Sequence, residues 1–166
     1  DSLTIPLDLA DPSSIRNLHH SYLHDTPVRY FFWVSGIFHE GSFSAMKHKK
    51  MHEMIAVHLQ GAWDVLRMFE TMRLAPYHLV IIASTSSWVL RKRESVYCAL
   101  KAAKAAFARN FWWELIEERP GSRVTLVNPA GTNTPLWNGI DRDVEHFMDP
   151  NEVAKIIWNH VAHQET

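Results

Sequence analysis

Four stretches of the chain are dense in branched and aromatic residues: LTIPLD (3–8), VRYFFWVSG (28–36), HLVIIAS (78–84) and RVTLVNP (123–129). None alternates polar with apolar positions over its length. Strands covered on both faces read this way, as in parallel sheets with helices on either side. Between these runs the apolar positions fall at helical spacing. A first helix is predicted to open at Asp11 and Pro12, where aspartate caps free amides and proline suits the first turn, and to run toward Tyr22. A second, long helix over 44–73 places Met51, Met54, Ile55, His58, Leu59, Ala62, Leu66 and Phe69 near one face. A third runs from Ser95 until Pro120 and Gly121 stop it, and a fourth opens at Asp149 and Pro150, with Glu152 placed to complete a capping box.

Strand and helix alternating in this order predict an α/β fold with right-handed crossovers. The chain shows no linker, repeat or low-complexity segment, so residues 1–166 are read as a single domain. In such sheets ligands bind beyond the carboxyl ends of the strands, which brings Gly36, Ser84 and the loop 128–135 toward one crevice.

Composition narrows the function classes. At 166 residues and 46% hydrophobic the chain can bury a sizeable core. A net charge of -1 gives no overall field for nucleic acid. The one cysteine, Cys98, rules out an internal disulfide and fits a reducing compartment, so a cytoplasmic location is expected. No run of ~18 apolar residues predicts a membrane helix, and no membrane partner is expected.

The chemistry concentrates around SVYCALKAAKAAF (95–107). Tyr97 and Lys101 stand at i and i+4 and share a helix face, and Ser84 ends a predicted strand thirteen residues before Tyr97. A free phenol titrates near pH ~10 and is a poor base at neutrality, but a cation within ~4–6 Å favours the phenolate. The spacing therefore predicts a Tyr97 with lowered pKa, with the Ser84 hydroxyl holding the same substrate oxygen. Taken alone, a tyrosine and lysine at this spacing also describe a half-buried ring and a solvated lysine; the surrounding context decides for chemistry.

These features together resemble the short-chain dehydrogenase/reductase family, whose site is a serine followed by YxxxK. The resemblance covers nearly the whole chain and implies a three-layer Rossmann-type parallel sheet with helices on both faces. LDLADPSSI (7–15) looks like the family's segment after its third strand, which puts Asp8 and Leu9 at the cofactor adenine. Val34, Ser35 and Gly36 occupy the place of the family's Asn-Ala-Gly turn beside the cofactor ribose. NPAGTNTP (128–135) matches the Pro-Gly loop, with Pro129, Ala130, Thr132 and Thr134 facing the nicotinamide and pyrophosphate of NAD or NADP. The implied reaction is hydride transfer between that cofactor and a small carbonyl or secondary alcohol. Tyr97 exchanges the proton, Lys101 lowers its pKa and holds the ribose, and Ser84 orients the substrate. VHLQG (57–61) puts His58 where many members have an asparagine in a proton relay; His58 is read equally as a packed helix residue.

The family's TGxxxGxG phosphate loop has no counterpart, and the chain ends before the family's last strand. The sheet is thus expected to be incomplete at the N-terminus, with an open edge on 28–36, and the chain to be part of a longer protein. A non-catalytic remnant or dimerising module without cofactor binding is the competing class. The family's two long helices commonly form a dimer interface, so a homodimer or tetramer is expected, with Phe111, Trp112 and Trp113 contributing.

Other signals carry less. HEMIAVH (52–58) is two positions off a zinc-protease helix, and no third ligand accompanies His48 and His52, so no metal is expected. MKHKKMH (46–52) and RKR (91–93) lack the interleaved aromatics of a nucleic-acid surface. RKR lies between Ser84 and Tyr97, in the loop that by resemblance borders the substrate crevice, so an anionic substrate or a phosphate is expected.

Overall fold

A computed structural model of the chain describes residues 4–21, 28–72 and 75–163. Three strands form one parallel sheet in the order β1 (Tyr30–Trp33), β2 (His78–Ile82), β3 (Arg123–Val127). Tyr30 pairs with His78, and His78 with Arg123. The central β2 is buried along nearly its whole length, as its unbroken apolar run predicts. Among the described strands β1 and β3 are the edges, and Phe32 on β1 is exposed. The open edge expected on 28–36 is thus present.

The strand expected over 3–8 does not form. Leu3 lies outside the described residues, and 4–8 enter no ladder. No described strand lies beside them to take their backbone groups, and Pro6 removes a donor. Asp8 then turns the chain: its carboxylate accepts the Ala10 N–H at 2.8 Å, and its own N–H donates to Ser14 Oγ at 2.9 Å.

Helix α1 (Pro12–Ser21) opens where the Asp11 carboxylate accepts the Ser13 N–H at 2.8 Å, as expected of an aspartate cap; Tyr22 lies outside the described residues. The long helix expected over 44–73 runs from His48 to Met72 with a π turn inside it, and residue 73 lies outside the described residues. A 3₁₀ turn (Phe43–Ala45) precedes α2 (His48–Ile55), a π turn (Ala56–Gln60) follows, and α3 (Gly61–Met72) continues. A π turn adds a residue to one helical turn and frees a carbonyl. Val57 O, in this turn, accepts the Ser35 hydroxyl at 3.3 Å. Helix α4 (Ser95–Glu118) ends just before Pro120 and Gly121. At the start of α5 (Pro150–His163), Asp149 Oδ1 accepts the N–H groups of Asn151 and Glu152 at 2.6 and 3.3 Å, the forward half of the expected capping box.

The main core lies between the sheet and the α3/α4 layer, where Leu66, Phe69, Ala108 and Leu115 meet Trp33, Leu79 and Ile81. Burial of one such leucine or phenylalanine stabilises the fold by about 1.5–3 kcal/mol. Helix α5 covers the other face, with Trp158 edge-on to Tyr30 at 5.1 Å, so the sheet has helices on both sides. One polar clip crosses the core rim: the Tyr77 hydroxyl donates to Glu70 at 2.5 Å, and Arg119 binds both the Glu70 carboxylate and its backbone carbonyl. The non-ladder segment is held as well. A Cβ on Gly61 would sit 2.1 Å from the Leu9 carbonyl oxygen, so the first residue of α3 must be glycine for residues around Leu9 to lie across it.

Candidate active site

A cavity of about 1040 Å³ opens beyond the carboxyl ends of the strands. Val34, Gly36, Ser84, Tyr97, Lys101, Pro129, Ala130, Thr132 and Thr134 are on its wall. Four expected site residues are not. Asp8 and Leu9 lie in the turn against α3, Ser35 faces Val57 and α4, and His58 stands behind Gly36. The strand-end rule for α/β sheets explains the convergence, since β1, β2 and β3 all deliver their following residues to this one end.

Ser84 leaves β2 in an extended conformation and caps a 3₁₀ turn (Thr85–Ser87), its Oγ accepting the Ser86 N–H at 3.1 Å. That anchor keeps the hydroxyl beside Tyr97, near the start of α4, and the contact favours the phenolate. Burial outweighs it. The Tyr97 phenol is 5% exposed and is pushed up to about 12, with Glu94 and Cys98 adding to the rise and Arg142 opposing it. The lowered pKa expected from Lys101 is therefore not present. The geometry gives the reason: Lys101 Nζ faces the tyrosine ring 5.5 Å from its centroid and donates to the Ile82 carbonyl at 3.4 Å. Burial also weakens the lysine's own charge, lowering its pKa to about 8.

His58 is fully buried in the π turn and lies edge-on to the Tyr97 ring at 5.7 Å. Its Nε2 is 2.7 Å from the Ile37 carbonyl and 3.1 Å from the Ile37 amide, while Nδ1 is buried without a partner. Burial, reinforced by Lys101 and Lys104, lowers its pKa to about 3 against the opposing Ile37 bond, so the ring is neutral at physiological pH. The imidazole also packs on Gly36, where a Cβ would meet Cε1 at 3.0 Å. His58 is thus the packed residue of the second reading, and its ring buttresses the turn at the cavity wall.

The loop after β3 is closed by backbone pairing. Thr132 bridges Met148, Asn133 N–H donates to the Met148 carbonyl at 3.0 Å, and the Trp137 indole N–H donates to the Thr132 carbonyl at 2.8 Å. Gly131 is required because a Cβ there would lie 2.8 Å from the Phe147 ring. Gly131 was not among the residues singled out from the sequence, although the packing of the loop depends on it.

It also missed the residues that close the cavity on the far side. Arg142 bonds Glu40 at 2.8 Å and Glu94 at 2.7 Å, and its guanidinium lies over Phe38 and Trp137 at 5.2 and 5.0 Å. Three separate segments meet there, and no local pattern announces it. Lys104 was missed too, although its spacing from Tyr97 and Lys101 puts it on the same helix face. Of the RKR residues, Arg91 lines the cavity and touches Thr85 Oγ1 at 3.4 Å; Arg93 sits with positive φ, its carbonyl accepting the Gly41 N–H at 2.8 Å. Among the described residues no cluster of three metal-ligating side chains occurs, and no helix is long and apolar enough to cross a membrane.

A family model described as enoyl-(acyl carrier protein) reductase matches residues 1–165. The chain belongs to the short-chain dehydrogenase/reductase family. Solved short-chain dehydrogenase/reductase structures share its fold: one from Vibrio parahaemolyticus at TM-score 0.75 and 23% identity, covering 93% of this chain and 68% of its own. An alcohol dehydrogenase from the archaeon Thermococcus sibiricus, complexed with 5-hydroxy-NADP, superposes at TM-score 0.80 with 21% identity, covering 94% and 66%. Among curated proteins, an uncharacterized oxidoreductase of Staphylococcus saprophyticus is 32% identical over 78 residues, 47% of this chain and 32% of the relative. One of Staphylococcus epidermidis is 28% identical over 106 residues, 63% and 45%. The chain thus spans less than half the length of these curated relatives. Within this short-chain dehydrogenase/reductase chain the six glycines, at 36, 41, 61, 121, 131 and 139, form no TGxxxGxG loop.

Proposed function

We propose that the chain carries the proton-transfer half of an NAD(P)-dependent oxidoreductase site that interconverts a carbonyl and a secondary alcohol. The observation that carries this reading is the meeting of Ser84, Tyr97 and Lys101 on the wall of one cavity at the strand ends. In reduction the Tyr97 hydroxyl gives its proton to the substrate oxygen, which Ser84 holds beside it. A phenol raised to about 12 holds its proton at neutrality, which suits the acid role.

The wall fits the nicotinamide end of NAD or NADP: Lys101 and the Thr134 hydroxyl are donors there, the Thr132 oxygen is an acceptor, and Gly36 makes room for the His58 ring behind the 34–36 turn. When bound, that cofactor supplies or accepts the hydride. Asp8 and Leu9 are proposed for its adenine end. The substrate is proposed to be a small molecule with an anionic group near Arg91 and an apolar body against Phe38 and Trp137, whose rings pack on each other at 4.9 Å. The competing class, a non-catalytic remnant, is less supported, because a remnant has no need of Ser84 anchored beside a buried Tyr97.

A cytoplasmic homodimer or tetramer is part of the proposal, through α3 and α4. Trp63, Trp112 and Trp113 are exposed on these helices, where Phe107 and Phe111 stack at 5.1 Å. Light scattering that gives a monomer at micromolar concentration contradicts this part. The cofactor reading is tested by titrating NADH and NADPH and following their fluorescence. Saturable binding supports it, and a flat titration with both refutes it.

A further inference from the structure

Helix α4 carries a second lysine on the face that holds Tyr97 and Lys101. Lys104 follows Lys101 by three residues and is fully buried, with 0% of its surface exposed. Its Nζ donates to one acceptor, the Ser35 carbonyl, at 2.6 Å, and lies over the Trp33 ring at 4.8 Å. An ammonium has three N–H donors to satisfy. One carbonyl and one ring face leave it short, and no carboxylate pairs with Lys104 or Lys101 among the described residues.

The titratable groups around it are all bases. Lys101 stands beside it on α4, His58 faces it from the π turn, and β1 and the turn after it contribute the Trp33 ring and the Ser35 carbonyl. The nearest charge from β2 is none; that strand offers the Ile82 carbonyl, already taken by Lys101. A buried ammonium without a counterion is costly, and two side by side more so, which makes the second proton the one refused.

We propose that Lys104 is a positioning residue, kept as a neutral amine so that this helix face presents Lys101 as its single cation while the Ser35 bond fixes the 34–36 turn against α4. Protonation of Lys104 disables the site by setting two ammonium groups against each other. The inference rests on the proton-transfer reading of Tyr97 and Lys101. Burial and the Lys101 charge lower Lys104 to about 6, and burial lowers Lys101 to about 8, so near neutrality one of the two amines holds a proton. The Ser35 bond survives either way, since a neutral amine still donates.

Two measurements test this. The first is NMR titration of the lysine Cε resonances in the ligand-free chain, assigned with Lys104→Met and Lys101→Met. One resonance moving near pH 6 and missing from Lys104→Met is expected; a Lys104 that stays an ammonium up to pH 9 overturns the proposal. The second is the pH profile of NAD(P)H-dependent carbonyl reduction. The wild type is expected to fall about tenfold one unit below the Lys104 pKa, whereas Lys104→Met, slowed at every pH by loss of the Ser35 bond, shows no such fall relative to its own neutral-pH rate. Superimposable profiles reduce Lys104 to a packing role and overturn the proposal. Lys104→Gln replaces Lys104→Met in both measurements if the Met variant does not fold. A chain that titrates as described yet reduces no carbonyl compound overturns the function reading and the positioning role with it, whereas a permanently charged Lys104 overturns this proposal alone.

Discussion

The His58 imidazole rests directly on Gly36, with Cε1 only 3.0 Å from where a Cβ would be. The same ring is bonded to the Ile37 backbone, so its place and the path of the 34–36 turn are set together. Gly36→Ala should therefore push the ring from that bond and cost about 1–3 kcal/mol, as overpacking in a filled core does. Urea unfolding checks it; a variant as stable as the wild type would show that the contact is soft.

Gly61→Ala should destabilise, against the usual trend for helices. Alanine normally improves on glycine inside a helix by about 0.8–1 kcal/mol. Here a Cβ would fall 2.1 Å from the Leu9 carbonyl oxygen, a backbone atom with no rotamer to change. Hydrogen exchange around Leu9 should speed up in the variant. Unchanged exchange together with a raised melting temperature would contradict the packing argument.

Acid stability should depend on His58. Its folded pKa of about 3 lies below the ordinary value of 6.5, so the unfolded chain binds more protons between those limits. Stability from this group is complete above pH 6.5 and is lost as pH falls through the window to about 3. His58→Asn should flatten the pH dependence of the unfolding free energy there, and a slope equal to the wild type's would refute the assignment.

Arg142 should be a clamp on the substrate side of the cavity. It joins Glu94, 4% exposed, to Glu40 and covers two aromatic rings. Arg142→Met keeps much of the apolar contact but leaves the Glu94 carboxylate without its ion pair, at a cost of about 1.5–3 kcal/mol. Glu40→Gln, which leaves the Glu94 pair intact, should cost less. Equal losses in the two variants would contradict this ranking.

The parallel α/β pattern and the strand-end crevice were legible because β2 and β3 are continuous apolar runs and α4 and α5 have plain stop or start residues. The strand over 3–8 was misread because its composition suits a strand, whereas forming one needs a neighbour that no described residues provide. The π turn was invisible because His58 and Leu59 keep helical spacing through it. Spacing put Ser84, Tyr97 and Lys101 together, and all three do lie on the cavity wall. The state of Tyr97 was not legible, since burial and the direction of Lys101 Nζ depend on tertiary packing. The clamp of Arg142, Glu94 and Glu40 joins residues about 50 and 100 positions apart, beyond any local pattern.

The central claim, that Tyr97 exchanges the substrate proton in an NAD(P)-dependent reaction, is tested most directly by comparing single-turnover carbonyl reduction by the wild type and Tyr97→Phe at saturating NADPH or NADH. Removing one hydroxyl from a buried ring should leave cofactor affinity within about threefold and lower the rate by about 10²–10⁴-fold. A Tyr97→Phe chain that reduces the same compound at the wild-type rate would contradict it.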